Sequence, residues 1–265
     1  MENPAWYTPY TPYQPEIAQG IFSVNILKTP FLILPSGRLE SLVNYQTMVM
    51  SLTSMDVANA SLLDEATAAA EGMVMALMNA PTKRTFVVDV GVLPQTVAVL
   101  RTRAKGFGMK VVVGDAISLL EDETIRSDTC GILVQYPDID GNIKDFSAIT
   151  TTTHSLGGLV VCATDLLALT KIKPPGEWGA DIVLGNSARF GVPVGYGGPH
   201  AGFFAVTDKL KRKMPGRLIG RSRDTQGNPA YRLSLQSVYP FQSNHLFFEC
   251  RHSAGATYSS GEGHQ

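Results

Sequence analysis

Cysteine is scarce in this 265-residue chain, and the three that occur, Cys130, Cys162 and Cys250, stand far apart from one another. No C-x-x-C pair is present, so the sequence predicts neither a disulfide framework nor a zinc site. The five histidines are scattered as well, which leaves no cluster with metal-ligand spacing. We therefore expect no metal centre, and a reducing compartment suits the isolated thiols.

A surplus of either charge is also missing. The chain has 22 lysines and arginines against 23 aspartates and glutamates, a formal net charge of -1. Binding nucleic acid requires a basic surplus or a basic stripe, so no nucleic acid partner is expected. The longest apolar run, residues 21–34, is broken by Lys28 and Pro30 and is too short to span a bilayer. We expect no membrane partner, and residues 1–4 resemble neither a signal peptide nor a transit peptide.

Short apolar segments alternate with helical patterns through most of the chain. Hydrophobic residues make up 44% of the sequence, which is ample material for a large core. The predicted strands cover residues 85–89, 109–113, 131–136, 159–162, 181–184 and 203–206, and the predicted helices cover residues 38–50, 65–78, 94–105, 146–154 and 166–171. This alternation is typical of an α/β, doubly wound fold with a mostly parallel sheet and helices on both faces. Such sheets bind ligands at the carboxyl ends of their strands.

Several polar residues occupy positions that would face this crevice. Asp165 follows a predicted strand and suits the protonated nitrogen of a cofactor ring, or else it caps the next helix. Ser61 to Glu65 opens a helix with capping-box spacing, where free N–H groups favour an anion and where ordinary capping is an equal explanation. Residues 135–137 (QYP) end another strand and would line the same crevice.

The richest glycine loop covers residues 186–200 and matches neither a Rossmann fingerprint nor a P-loop. It predicts a phosphate site or a tight structural turn, and spacing alone does not separate the two. His154 and His200 are the histidines expected closest to a site, although an unpaired histidine is more often structural. No Ser/His/Asp or Cys/His nucleophile motif and no G-x-S-x-G string is present.

Taken together, these segments resemble the amino-terminal half of glycine decarboxylase, the P-protein family of the glycine cleavage system. The strings that carry the resemblance are residues 3–8 (NPAWYT), 10–20 (YTPYQPEIAQG), 38–42 (RLESL), 59–65 (NASLLDE), 163–169 (ATDLLAL), 174–177 (PPGE), 190–201 (FGVPVGYGGPHA) and 214–217 (MPGR). The resemblance implies the large domain of fold-type I enzymes that depend on pyridoxal phosphate. It also implies glycine decarboxylation with aminomethyl transfer to the lipoyl group of H-protein, in the mitochondrial matrix of eukaryotes.

Family members contain two such halves, and the carboxyl-terminal half carries the lysine that forms the Schiff base with pyridoxal phosphate. By this resemblance Asp165 takes the position of the acid that binds the ring nitrogen, and the lysine position falls near Ala188, beside Arg189. Neither residue can form an imine, because alanine has no amine and a guanidinium stays protonated. The resemblance therefore implies that this chain is inactive alone and that the missing half holds the cofactor. A lysine such as Lys171 or Lys173 within reach of the crevice would contradict this.

The remaining site expectations also follow from the resemblance. Ser61 and Glu65 are interpreted as vestigial cofactor-binding residues, weakened further because the family's glycine is replaced by Ala66. Tyr7, Tyr10 and Tyr13 on the arm, together with His200, are expected to form an active-site wall or interface toward the partner half. Expected partners are the carboxyl-terminal half, lipoylated H-protein and a second copy in a homodimer. A rival hypothesis is a non-catalytic binding or regulatory subunit that pairs with a separately encoded catalytic half.

Four segments are expected along the chain. Residues 1–20 form an extended arm rich in proline and tyrosine, and residues 38–236 form the large domain. Residues 21–37 are apolar and interrupt the family pattern, which favours a retained intron over a real lineage insert. Residues 237–265 are interpreted as an aberrant tail, because a one-nucleotide shift in a possible back-translation of residues 253–265 resembles the family's continuation.

Overall fold

The computed structural model describes residues 36–192, 198, 200–223, 226, 227 and 229–235. The predicted arm with Tyr7, Tyr10 and Tyr13, residues 21–35 of the insert and the predicted tail lie outside the described residues. The helices are α1 (Ser36–Thr53), α2 (Glu65–Asn79), α3 (Pro94–Gly106), α4 (Ala116–Leu119), α5 (Glu123–Asp128) and α6 (Ser147–Ser155). The strands are β1 (Val57–Ala58), β2 (Thr85–Asp89), β3 (Lys110–Gly114), β4 (Thr129–Tyr136), β5 (Leu159–Asp165), β6 (Ile182–Asn186), β7 (Gly202–Val206), β8 (Arg217–Arg223) and β9 (Pro229–Leu235).

Strands β1 to β7 form one sheet in the order β1-β7-β6-β5-β4-β2-β3. The pairs from β6 to β3 are parallel, whereas β7 runs antiparallel to both β6 and β1. The prediction of a mostly parallel sheet is therefore confirmed. Its parallel strands end at a common edge, where β4, β5 and β6 are neighbours.

The sheet is covered on both faces, as predicted, because its strands carry apolar side chains in both directions. On one face α2 and α3 pack over a core that includes Phe86, Leu133 and Phe204. On the other face α1 and α6 pack over residues such as Ile132 and Phe203. The strands β2, β4 and β5 are almost wholly buried, which explains why they read as continuous apolar runs rather than alternating ones.

Helix α2 begins at Glu65, as predicted, but its N-cap lies three residues after the predicted one. Ser61 was expected to cap it, but the N-cap is Asp64, whose carboxylate accepts the Thr67 N–H at 3.1 Å. Thr67 completes the box by accepting the Asp64 N–H at 3.3 Å. Aspartate is among the best N-cap residues, so the helix starts directly after it, and the Ser61 hydroxyl instead donates to the Leu62 carbonyl at 3.3 Å.

The hairpin of β8 and β9 and the helices α4 and α5 were not predicted from the sequence. The hairpin is tied to α1 through Gln46, whose side-chain amide donates to the Ile219 carbonyl at 3.1 Å and accepts the Ile219 N–H at 2.9 Å. Helix α1 itself starts at Ser36, inside the predicted insert of residues 21–37. Two residues of that insert therefore belong to the first helix.

We predict that Gly185→Ala strongly destabilises the fold. A Cβ at this buried position of β6 would lie 2.1 Å from the Thr164 carbonyl oxygen and 2.7 Å from the Phe203 ring. Strand backbone cannot yield as a flexible side chain can, so the free energy of unfolding should fall by about 3 kcal/mol or more. Urea unfolding measures this. Gly106→Ala, with nothing within 4 Å of the added Cβ, is the control, and equal losses in the two variants would contradict the packing at β6.

Candidate functional site

Polar side chains meet at the carboxyl ends of three adjacent strands. Gln135 lies one residue before the end of β4, Asp165 ends β5 and Asn186 ends β6. The sheet register pairs Asp165 directly with Asn186 and pairs Gln135 with Ala163. Asp165 and residues 135–137, which the sequence predicts to line a ligand crevice, therefore lie along one edge of the sheet, which is called the crevice below.

Asp165 forms a two-pronged ion pair with Arg189. The Arg189 Nε donates to Asp165 Oδ1 at 3.1 Å, and its Nη2 donates to Asp165 Oδ2 at 2.9 Å. The Asp165 side chain is 22% exposed and the Arg189 side chain is 14% exposed, so solvent screens their charges poorly. Asp165 Oδ1 also accepts the Leu167 N–H at 3.1 Å. Asp165 thus accepts a hydrogen bond from the turn that follows β5, but the next helix, Ala168–Thr170, has Leu167 at its N-cap and no side-chain cap, so the alternative that Asp165 caps this helix is wrong.

Arg189 is held in place by a well-anchored turn. It belongs to the 3-10 helix Ser187–Phe190, which follows β6 directly. The side chain of Asn186 accepts the Ala188 N–H at 2.9 Å, and the Ser187 N–H and hydroxyl both donate to the Ala201 carbonyl. Phe190 packs edge-on against buried Tyr45 of α1, with ring centroids 5.9 Å apart. This turn fixes the backbone from which the guanidinium reaches Asp165.

Glu65, the first residue of α2, is a carboxyl group with an unusual environment. It is 8% exposed, and burial raises its pKa to about 7, opposed by a hydrogen bond from Gln135 and reinforced by the charges of Asp165 and Asp64. Its Oε1 atom and the Gln135 Oε1 atom are both buried without a hydrogen-bond partner among the described residues. The sequence placed Glu65 near a helix start but gave no sign of its contact with Gln135.

The end of the glycine loop meets this helix start. Leu62 and Gly202 exchange backbone hydrogen bonds of 2.7 and 3.0 Å. A Cβ on Gly202 would lie 2.6 Å from the Asp64 carbonyl oxygen, so only glycine allows the approach. The loop therefore brings the start of β7 against the α2 N-terminus. Residues 193–197 and 199 of the loop lie outside the described residues.

The two histidines singled out in the sequence lie at opposite edges of the sheet. His200 is exposed, and its Nδ1 lies 3.2 Å from the side-chain nitrogen of Asn186, at the crevice. His154 was expected near a site, but this is wrong: its Nε2 contacts Asp181 Oδ2 at 2.7 Å, and that oxygen accepts the Val160 N–H. These contacts lie where β5 and β6 begin, so His154 links helix α6 to the amino-terminal ends of these strands, opposite the crevice.

The lysines of the described residues do not pair with the crevice carboxyl groups. Lys171 and Lys173 lie on the exposed segment after β5, and among the described residues no lysine forms an ion pair with Asp165 or Glu65. Lys144 instead lies 3.5 and 3.4 Å from the buried carboxylates of Asp89 and Asp138. The crevice thus offers carboxyl groups, an amide and a guanidinium, which bind by hydrogen bonds and charge.

Three further properties concern only the residues that the structure describes. Within them no group of three histidines, cysteines or carboxylates has metal-binding geometry. Cys130 and Cys162 are free thiols buried in the two cores, and burial raises the pKa of Cys130 to about 12. No helix in the described ranges is long and apolar enough to cross a bilayer.

The topology and the strand-end acid define the large domain of fold-type I, pyridoxal-phosphate-dependent transferase-like enzymes. Two solved structures support this at the level of fold alone. Cystathionine gamma-lyase from Lactobacillus plantarum has a TM-score of 0.51 at 18% identity, covering 65% of this chain and 43% of that chain. Ureidoglycine-glyoxylate aminotransferase from Bacillus subtilis has a TM-score of 0.53 at 10% identity, covering 77% and 51%.

The family described as glycine cleavage system P-protein matches residues 1–239, and the chain belongs to that family. Glycine dehydrogenase (decarboxylating) from Stenotrophomonas maltophilia (strain R551-3) is 55% identical over 238 residues, which is 89% of this chain. A putative mitochondrial glycine dehydrogenase (decarboxylating) from Schizosaccharomyces pombe is 52% identical over the same length. A solved glycine decarboxylase (P-protein) in inhibitor-bound form has a TM-score of 0.74 at 33% identity, covering 85% of this chain and 52% of that chain.

The chain spans under a quarter of the length of these curated relatives. It covers 23% of the Stenotrophomonas protein and 21% of the Schizosaccharomyces protein. The described fold thus corresponds to one part of a much larger polypeptide.

We predict that Glu65→Gln changes how stability depends on pH. The folded-state pKa of about 7 lies above the ordinary value of 4.5, so the folded chain holds a proton that the unfolded chain releases. The contribution of Glu65 to the free energy of unfolding is complete below about pH 4.5. It is lost as pH rises through about 7, and the total loss is up to about 3 kcal/mol. The glutamine variant should lack this loss and be more stable than the parent at about pH 8.

Urea unfolding at several pH values between about 5 and 8 measures the difference between the parent and the Glu65→Gln chain. Glu121→Gln, at an exposed glutamate, is the matched control and should give a difference that does not vary with pH. A flat difference for Glu65→Gln as well would contradict the buried, proton-holding carboxyl group.

Proposed function

We propose that this chain is the amino-terminal part of a glycine decarboxylase and serves in the half that does not carry out the chemistry. Family membership supports glycine decarboxylation with aminomethyl transfer to lipoylated H-protein as the activity of the whole protein. The observation that carries the non-catalytic role is the Asp165–Arg189 ion pair. In this pair the chain's own Arg189 binds the strand-end acid Asp165, whereas an active half needs that acid free to bind a ligand.

The residues of this crevice do not fit pyridoxal phosphate, the cofactor that the fold class implies. That cofactor supplies an electron sink and is held through a lysine amine, a ring-nitrogen acid and an anion site. Here Ala188 and Arg189 follow β6 and offer no condensable amine. The acid is engaged by Arg189, and the α2 N-terminus is lined by the carboxyl groups of Asp64 and Glu65. We therefore assign the cofactor to the carboxyl-terminal half.

The described part of the crevice would serve as a wall toward the partner half. His200 is exposed at its rim, and we propose that Tyr7, Tyr10 and Tyr13 of the arm reach across to the partner's site. Tyrosine suits this position because one end of its side chain is apolar and the other is polar. The partners are then the carboxyl-terminal half, H-protein and a second copy of the protein.

The cellular location that we propose depends on whether the chain comes from a eukaryote or a bacterium. The Schizosaccharomyces relative is described as mitochondrial and the Stenotrophomonas relative is bacterial. We therefore propose the mitochondrial matrix for a eukaryotic source. We also propose that the large domain is residues 38–236, that residues 21–37 are an apolar insert and that residues 237–265 are an aberrant tail, of which the family match covers residues 237–239.

The test of the non-catalytic role is cofactor trapping. Purified chain is incubated with pyridoxal phosphate, reduced with borohydride and digested for mass spectrometry. We expect no imine absorbance and no lysine modified at a single defined site, because the strand-end crevice offers no amine. A carboxyl-terminal half from a relative, treated in parallel, should give one trapped lysine. A stoichiometric adduct on this chain at one lysine would overturn the proposal.

The same two chains separate the leading function from a free-standing regulatory subunit. Co-expression of this chain with the carboxyl-terminal half should yield a complex that exchanges the glycine carboxyl group with bicarbonate, whereas neither chain alone should do so. Activity of the carboxyl-terminal half that is unaffected by this chain would contradict a shared active site.

A further inference from the structure

The opposite charges of Asp165 and Arg189 at the crevice pair with each other in the absence of any ligand. Asp165 has three of its acceptor positions used, two by Arg189 and one by the Leu167 N–H. The Arg189 side chain is 14% exposed, so it lies within the edge of the sheet rather than in solvent. A carboxylate paired side-on with guanidinium in a partly buried position is a strong, directional contact. A second cation would have to displace Arg189 to reach Asp165.

At the other end of the crevice, carboxyl groups oppose the binding of an anion. The N–H groups at the start of α2 would attract a phosphate, but the helix begins with Glu65 directly after Asp64. Asp64 caps the Thr67 N–H, and the buried Glu65 carboxyl group lies beside the same terminus. Asp64 lowers the positive potential of this helix start, and above about pH 7, the pKa of Glu65, the ionised Glu65 carboxyl group adds a second negative charge that repels a phosphate.

We propose that the crevice is filled by the chain's own charges, with Arg189 in the place of a cationic ring and Glu65 in the place of a phosphate. This inference rests on the proposed function and gives it a physical cause. The missing lysine is then only part of the reason that this half holds no cofactor. Arg189 and Glu65 are specificity-determining residues, because they exclude a pyridine phosphate even when no covalent bond is required.

The anchoring of Arg189 supports this role. The turn Ser187–Phe190 is held by hydrogen bonds to Ala201 and Asn186 and by the Phe190–Tyr45 ring contact. Because the backbone of this turn is already fixed, the ion pair with Asp165 requires no further ordering of the backbone. The ion pair is therefore pre-organised, and a free ligand cation would compete with a partner that is already in position.

The test uses pyridoxine 5′-phosphate, which has the ring and the phosphate but no aldehyde, so lysine chemistry plays no part. Binding to the full chain is measured by calorimetry for the parent, Arg189→Ala, Glu65→Gln and the double variant. We expect the double variant to bind at least about tenfold more tightly than the parent, with each single variant between them. Adding Asp165→Asn to the double variant should remove the gain that comes from Arg189→Ala.

Inorganic phosphate as a second probe separates the two ends of the crevice. Glu65→Gln should bind phosphate more tightly than the parent, and Arg189→Ala alone should not. Arg101→Ala and Glu121→Gln, at exposed positions, are the matched controls and should behave as the parent. Arg189→Gln keeps a planar N–H donor on a shorter, uncharged side chain, and it replaces Arg189→Ala should that variant lose cooperative unfolding.

Two results would overturn the inference. One is a folded double variant that binds pyridoxine 5′-phosphate no better than the parent, and the other is a parent that binds it as tightly as the double variant. Either result leaves the trapping experiment untouched. A lysine adduct with pyridoxal phosphate on the parent would instead defeat the proposed function itself, so the two failures are distinguishable.

Discussion

The ion pair between Asp165 and Arg189 joins two adjacent strand ends, and in the function that we propose it keeps the strand-end acid from binding a ligand. Its two contacts, at 3.1 and 2.9 Å, link the end of β5 to the turn that follows β6. Both charges are mostly shielded from water, so removing either would leave the other unpaired at a cost of about 1–3 kcal/mol. The fold therefore requires the arrangement for stability, and the same arrangement takes the strand-end acid away from any ligand.

The rest of the site is organised around that pair. Glu65 at the start of α2 and Gln135 near the end of β4 contact each other, and the Asp165 charge contributes to the raised pKa of Glu65. The glycine-rich loop returns to this helix start through the close approach of Gly202 to Asp64. One edge of the sheet thus collects residues far apart in the sequence, as expected of parallel strands joined by helices.

Much of this was predictable from the sequence, and the parts that were not have a common cause. Strand β2 and helix α2 were predicted almost to the residue, because apolar runs and helix periodicity are local signals. The position of Asp165 followed from its strand. Its pairing with Arg189, 24 positions later, and the contact of Glu65 with Gln135 are tertiary events that no local pattern encodes. The contact of His154 with Asp181, which lies just before the adjacent strand β6, is a tertiary contact of the same kind.

We propose that the chain's own side chains occupy the crevice where a fold-type I enzyme holds its cofactor. A crystal structure of the chain bound to the carboxyl-terminal half, grown with excess pyridoxal phosphate, measures this directly. We predict that the Arg189 guanidinium lies within about 3 Å of Asp165 and that cofactor density is present only in the partner half. Cofactor density with its ring nitrogen on Asp165 and Arg189 turned away would contradict it.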